Sequence, residues 1–192
     1  MGSNTTGSWN TATGHEAFRC NTVGFYNSTH GYLALDANVL WGYFSNTTAT
    51  GNQALVTASD QIRFGNISVA RIGGQVAWTS LSDSRTKKNI RQDVLGFAFI
   101  NLIQPVIYNF DLDTADYLLR VDKAKEMLTA LSQEEKASRE AKQKRLYTGF
   151  VAQDVEKAAQ SIGYDFSGVD VDEEDIYGLR YSEFVMPLVK AM

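Results

Sequence analysis

Cysteine, histidine and proline are scarce in this 192-residue chain, and where each is missing narrows the chemistry. The single cysteine, Cys20, cannot form an internal disulfide, so the redox compartment is left open. Both histidines, His15 and His30, lie near the start. Residues 1–81 contain no lysine and no proline, and only three arginines and three acidic residues. From Ser82 onward the composition changes: every lysine and both prolines fall there, but no histidine or cysteine. Nucleophilic chemistry run by this second segment alone must therefore work without His or Cys, which leaves serine activated by lysine as the obvious pair. No apolar stretch approaches the length of a membrane span, and Met1-Gly2-Ser3-Asn4 is not a signal peptide. Those four residues read as an artificial start, so an export signal upstream is left open. A net charge of −4 gives no electrostatic case for nucleic acid or an acidic membrane surface. The acidic run Asp170 to Asp175 lacks the Gly and Glu spacing of a calcium loop, and neither cofactor nor metal is expected.

What is present begins with a repeat. Asn4-Thr5-Thr6-Gly7 recurs as Asn21-Thr22-Val23-Gly24, and Asn38-Val39-Leu40-Trp41-Gly42 is a looser third copy. Asn10-Thr11-Ala12-Thr13-Gly14 recurs as Asn27-Ser28-Thr29-His30-Gly31, and Ala17-Phe18 as Ala34-Leu35. The offset between the first two copies is 17 residues throughout, whereas Ala49-Thr50-Gly51 and Ala54-Leu55 arrive three residues late. Short β-prone stretches alternating with Asn and Gly turns predict a parallel β-solenoid or β-roll. A linker would not keep Ala-Leu pairs in register. So thin a coil cannot hide Trp9, Phe18, Phe25, Tyr32, Trp41 and Phe44, which predicts association with further copies of the chain. Sequons at Asn4, Asn27, Asn46 and Asn66 fit turn chemistry better than glycosylation. Short strands are expected to continue over 56–81, broken by Gly65 and Gly73-Gly74.

After Ser82 an α+β domain with long helices is expected. Val106 to Phe110 behind Pro105 reads as a strand. Tyr117, Val121, Ala124, Leu128 and Leu131 are spaced 4, 3, 4, 3, a heptad seam in a helix starting at Tyr117. The charged continuation to Arg145 reads as a solvated helix face without a site. Tyr147 to Ala152 leads as a strand into a helix near Gln153–Gln160, and Tyr181 to Met192 reads as a final helix cut short.

Four blocks over residues 82–192 carry a specific resemblance. They are Ser82-Asp83-x-Arg85-x-Lys87-x-Asn89-Ile90, Pro105-Val106-x-Tyr108-Asn109-Phe110, Gly149-Phe150-Val151-Ala152-Gln153-Asp154-Val155-Glu156 and Leu179-Arg180-Tyr181-Ser182-Glu183-Phe184. Together they closely resemble the self-cleaving intramolecular chaperone domains of phage endosialidases, tailspikes and tail fibres, also found within some membrane-bound transcription factors. The Asn-Thr repeats of 1–81 resemble the head repeats of trimeric fibres and adhesins. Ile72 to Trp78 looks like the strand that precedes such a cleavage site. The resemblance implies a homotrimer whose chaperone domain helps three copies of the preceding fibre wrap together and then cuts itself off. It implies a virion or extracellular location after assembly in a host cytoplasm. The partners would be the other protomers, the upstream fibre domain of the same polypeptide, and a cell-surface receptor or glycan. Carried over, Leu81–Ser82 is the scissile bond, Ser82 the nucleophile and Lys87 the base, with Asp83, Arg85 and Asn89 in support. The helical insertion around 115–145 is longer than the resemblance leads one to expect.

The physical demands on such a pair are definite. Serine attacking the carbonyl just before it is an intrachain reaction, so its entropy is largely prepaid, worth up to about 7–11 kcal/mol in good geometry. A free lysine titrates near about 10.4 and is protonated at neutral pH, so burial and cations such as Arg85 and Lys88 would have to lower that value before it can act as a base. Asp83 would oppose this unless Arg85 ties it up. Residues five apart on an α-helix lie about 140° from each other, so a turn or a neighbouring chain must bring Lys87 to Ser82. Asn89 and backbone amides are the weak candidates for oxyanion donors. A Ser-x-x-x-x-Lys pair by itself is common, and Ser82-Asp83 would equally cap a helix beside solvated lysines. Two other functions compete. One is a non-cleaving trimerisation and receptor-binding module at a fibre tip; the other is a release switch on a membrane protein, against which the upstream repeats argue.

Overall fold

The structure, a computed structural model, describes residues 2–35, 43–119, 131–172 and 175–192. The third repeat copy at Asn38–Gly42, and Val121, Ala124 and Leu128 of the heptad seam, lie outside these residues. By contacts the chain forms two compact units that interleave along the sequence. The first comprises 1–70, 109–147 and 172–176, and the second 71–108, 148–171 and 177–192. The break in composition at Ser82 thus falls inside the second unit.

The first unit is built on four three-residue strands, β1 (Thr11–Thr13), β2 (Ser28–His30), β3 (Thr48–Thr50) and β4 (Ile62–Phe64). They pair in parallel and in chain order. Thr11 faces Ser28 and Ser28 faces Thr48, so the registers step by 17 and then by 20 residues, the offsets of the sequence repeat. A fourth step, Thr48 to Ile62, is shorter. The first three strands offer their middle residues inward; only small ones, Ala12, Thr29 and Ala49, fit beneath the next coil, and Arg63 in β4 is exposed. The turn after each strand brings Ala17-Phe18, Ala34-Leu35 and Ala54-Leu55 over one another, and these pairs are buried. Phe18 N donates to Ala34 O at 2.9 Å, and Leu35 N to Ala54 O at 2.8 Å.

Two columns of polar or small residues tie the rungs together. Asn27, fully buried, accepts from Thr47 N and Thr47 Oγ1, and donates through Nδ2 to Asn10 Oδ1 and Phe44 O. A buried amide is tolerable only when its bonding capacity is met in this way. Directly after the strands stand Gly14, Gly31, Gly51 and Gly65, all with positive φ. A Cβ on Gly31 would sit 2.4 Å from the Gly51 carbonyl oxygen, so both conformation and space demand glycine.

The first unit also holds two helices among its described residues. Helix α2 runs Leu112–Leu119, and α3 runs Gln133–Lys144. Helix α2 begins five residues before the expected start at Tyr117, because Asp111 caps it, accepting from Asp113 N, Thr114 N and Thr114 Oγ1. Helix α3 carries a capping box between Ser132 and Glu135. Its charge run is more than a solvated face. Arg139 is buried and pairs with Asp113 and Asp116 at 2.8 Å each, while Lys142 Nζ donates to the carbonyls of Ile67 and Val69.

In the second unit α1 (Phe97–Ile100), α4 (Ala152–Ser161) and α5 (Val185–Ala191) gather around an aromatic core. Phe99, Ile103, Val155, Ala159, Phe166 and Phe184 form it. Phe150 and Phe184 stack with centroids 5.2 Å apart. Strands β5 (Val106–Asn109) and β6 (Leu146–Gly149) pair, and β7 (Val169–Val171) forms an antiparallel hairpin with β8 (Tyr177–Leu179). Of the acidic run, Asp170 lies on β7, while Glu173 and Glu174 lie outside the described residues. Beyond β4 the expected further strands do not form: 66–81 contains no strand. A strand requires a ladder partner, and none of the described residues supplies one to this segment.

Candidate functional site

The residues around Ser82 owe their shape to one short turn. Ser84–Thr86 forms a 3-10 helix capped by Asp83, whose Oδ1 accepts from Arg85 N at 2.8 Å. Thr86 N and Thr86 Oγ1 both return to the Asp83 carbonyl, at 3.0 and 2.7 Å, and Lys87 N returns to Ser84 O. Lys87 then leaves the turn in extended conformation, with φ −102° and ψ 133°. This closure reverses the chain over five residues. Lys87 Nζ thereby lies 2.7 Å from Ser82 Oγ within the same chain. The α-helical separation that would have kept the two apart does not arise.

The Asp83 carboxylate is occupied. Arg85 grips it through Nε on Oδ1 at 3.0 Å and Nη2 on Oδ2 at 2.7 Å. The Arg85 side chain, then its backbone amide, hold the Asp83 carboxyl below the usual carboxylate range; the carboxylate in turn raises Arg85. Among the described residues, no carboxylate forms an ion pair with Lys87. Asp83 rather than Ser82 supplies the cap, so the serine hydroxyl is left to the lysine. Asn89 adopts a left-handed φ of 54° and is exposed; no hydrogen bond joins its side chain to Ser82 or Lys87.

The pair itself is open to solvent. Ser82 and Lys87 are exposed, as is Leu81 before them. Upstream, Ile72, Val76 and Trp78 are exposed, Trp78 to 84%. Such a row of large apolar groups beside a polar pair is unusual for a surface meant to face water. The first unit also holds a cleft of about 410 Å³ lined by Asn52, Gln53, Asn66, Ser68, Glu135 and Arg139, among others. It contains neither Ser82 nor Lys87. Among the described residues no group of His, Cys, Asp or Glu is arranged to hold a metal ion, and no helix is long and apolar enough to cross a membrane.

The turn, the bonded Ser-Lys pair and the tied carboxylate all fall at the start of a recognisable domain. A family model described as chaperone of endosialidase, whose name is that of a peptidase family, matches residues 82–164. No curated protein and no solved structure matches the chain. The match opens on Ser82 itself and runs through α1, β5, β6 and α4. Over residues 82–164, somewhat under half of its length, the chain is similar to the chaperone of endosialidase family.

Proposed function

We propose that the chain is the C-terminal part of a trimeric phage-type tail fibre or tailspike. Its chaperone domain drives trimer folding and then cuts the polypeptide between Leu81 and Ser82. The observation that carries the reading is the 2.7 Å approach of Lys87 Nζ to Ser82 Oγ, placed on the first residue of the family match. With Lys87 as the ammonium, Nζ donates to Oγ; with the neutral amine, Oγ–H donates to Nζ across the same distance. In the second state Ser82 Oγ attacks the Leu81 carbonyl carbon as its proton passes to Nζ. The C–N bond breaks, the Ser82 nitrogen takes up the proton, and an ester joins Leu81 to Oγ. Water hydrolyses that ester to a Leu81 carboxylate and a free Ser82 hydroxyl. No cofactor is needed.

The parallel ladder of the first unit supports the fibre part of the reading. Trp9, Tyr26 and Tyr32 are exposed, and Trp9 stacks on Tyr26 at 4.9 Å. Copies of the chain wrapped about one axis, with the repeats as a trimeric β-roll, would cover such groups. The same aromatic stack favours a second reading, in which the repeats contact a receptor or glycan at a fibre tip and no cleavage occurs.

Intact mass separates the two. Cleavage turns the 21.3 kDa chain into pieces of about 9 and about 12 kDa, in proportion to residues 1–81 and 82–192. Ser82→Ala should leave the chain whole. Identical fragments from that variant would assign the cut to another protease.

A further inference from the structure

We infer that Arg85 is a positioning residue for the Ser82–Lys87 pair. By gripping the Asp83 carboxylate it keeps that group off Lys87, and it braces the turn that delivers Nζ to Oγ. The inference rests on the self-cleaving reading above.

The geometry sets this pair apart from an ordinary surface ion pair. Arg85 meets both carboxylate oxygens, and its backbone amide meets one of them as well, so the two residues make three hydrogen bonds. Asp83 is the neighbour of the nucleophile in sequence and the cap of the turn that ends at Lys87. It is also the only acidic residue between Ser82 and Arg91, where the cations are Arg85, Lys87, Lys88 and Arg91. Arg91 is engaged separately, its Nε 3.3 Å from Asp93 Oδ2. A carboxylate released from Arg85 would have the ammonium of Lys87 as a nearby partner. A carboxylate beside an ammonium favours the protonated amine, which cannot accept a proton from serine. Guanidinium suits the task because it stays charged at every working pH and fits a carboxylate with two parallel bonds. Exposed ion pairs contribute little to stability, so losing this one should leave the chain folded.

The double variant tells a positioning role from a structural one. Asparagine at 83 keeps an oxygen that can accept from the residue 85 amide, so the turn keeps its cap without the charge. The full-length chain is refolded from denaturant across a pH series, and the rate of fragment appearance is followed on gels. Arg85→Ala should cut about tenfold more slowly near neutral pH, with the rising limb of its pH–rate profile moved about one unit to alkaline pH. Adding Asp83→Asn to Arg85→Ala should bring the limb back towards its wild-type position. Arg85→Lys, which keeps the charge but loses the fork, should fall between. A wild-type rate and profile in Arg85→Ala would overturn the inference. So would a double variant as slow as Arg85→Ala at every pH, since that result marks a purely structural role. Ser82→Ala is run in parallel: fragments from it would overturn the cleavage reading itself, and this inference with it.

Discussion

Ser82 and Lys87 meet because the three residues of Ser84–Thr86 turn the chain back, and the identity of the lysine can be tested directly. If Lys87 is the base, Lys87→Ala should abolish cutting while the domain stays folded, since an exposed side chain contributes little to packing. Lys87→Arg should fail equally, because guanidinium does not give up its proton. In the wild type, cleavage should speed up from about pH 6 to about pH 9 if an unprotonated group takes the serine proton. Unimpaired cutting by Lys87→Arg, read as fragments on a gel, would remove lysine from the mechanism. The neighbouring carboxylate gives a prediction at the acid end. Because Arg85 holds the Asp83 carboxyl below its ordinary range, the tie stabilises the turn at neutral pH and is lost as pH falls through that lowered value. Carboxyl-carbon NMR of Asp83 should show a midpoint below that of a free aspartate, and Arg85→Ala should move it back up. The residue types at this site were legible in the sequence: histidine and cysteine are missing from the segment, and Ser82 and Lys87 stand inside a specific motif. What the sequence did not settle was which residue caps the turn, because Ser82 and Asp83 are both good caps. Nor did it predict that the pair would be open to solvent, since burial depends on what packs over a segment and not on the segment alone.

At the scale of elements, stacking explains both what the repeat made legible and what it did not. The period of 17 residues is the register of β1 on β2, because side chains at equivalent places must lie over one another for Asn10, Asn27 and Thr47 to share hydrogen bonds. A Cβ at position 31 would meet backbone rather than a side chain that can move aside. Gly31→Ala should therefore cost at least about 2 kcal/mol locally, combining positive φ with overpacking. Gly163→Ala, also at positive φ but with no atom within 4 Å, should cost only about 1 kcal/mol. Hydrogen exchange at Thr29 to Gly31 would show the difference, with faster exchange in the first variant alone. Helices were harder to read. Apolar spacing placed the start at Tyr117, while the chain follows the Asp111 cap and begins at Leu112. In α3, the charge run was legible as a helix, but its buried members were not. Arg139 is covered because Asp113 and Asp116, more than twenty residues earlier, meet it. Local sequence carries no record of such distant pairing.

For the molecule as a whole, the decisive quantity is what the single chain leaves uncovered. Leu81, Ile90 and Trp78 flank a Ser-Lys pair that is itself exposed, and excluding water favours the neutral lysine amine that can accept the serine proton. If neighbouring protomers provide that cover, assembly must precede cutting, and the peptidase stays silent until its fibre is wrapped. The order of events then has a kinetic signature. Folding of one chain is first order, whereas meeting two others depends on concentration. Refolding at a series of total concentrations should therefore give fragments with a rate that falls steeply on dilution from micromolar to nanomolar chain. Trp78 emission should shift to the blue on the same timescale, as an exposed indole enters an interface, and light scattering should show trimers before fragments accumulate. Trp78→Ser, which removes apolar surface without touching the Ser-Lys pair, should raise the concentration at which cutting begins. A rate independent of concentration, with fragments formed from chains that scatter as monomers, would show that one chain suffices and remove assembly as the trigger.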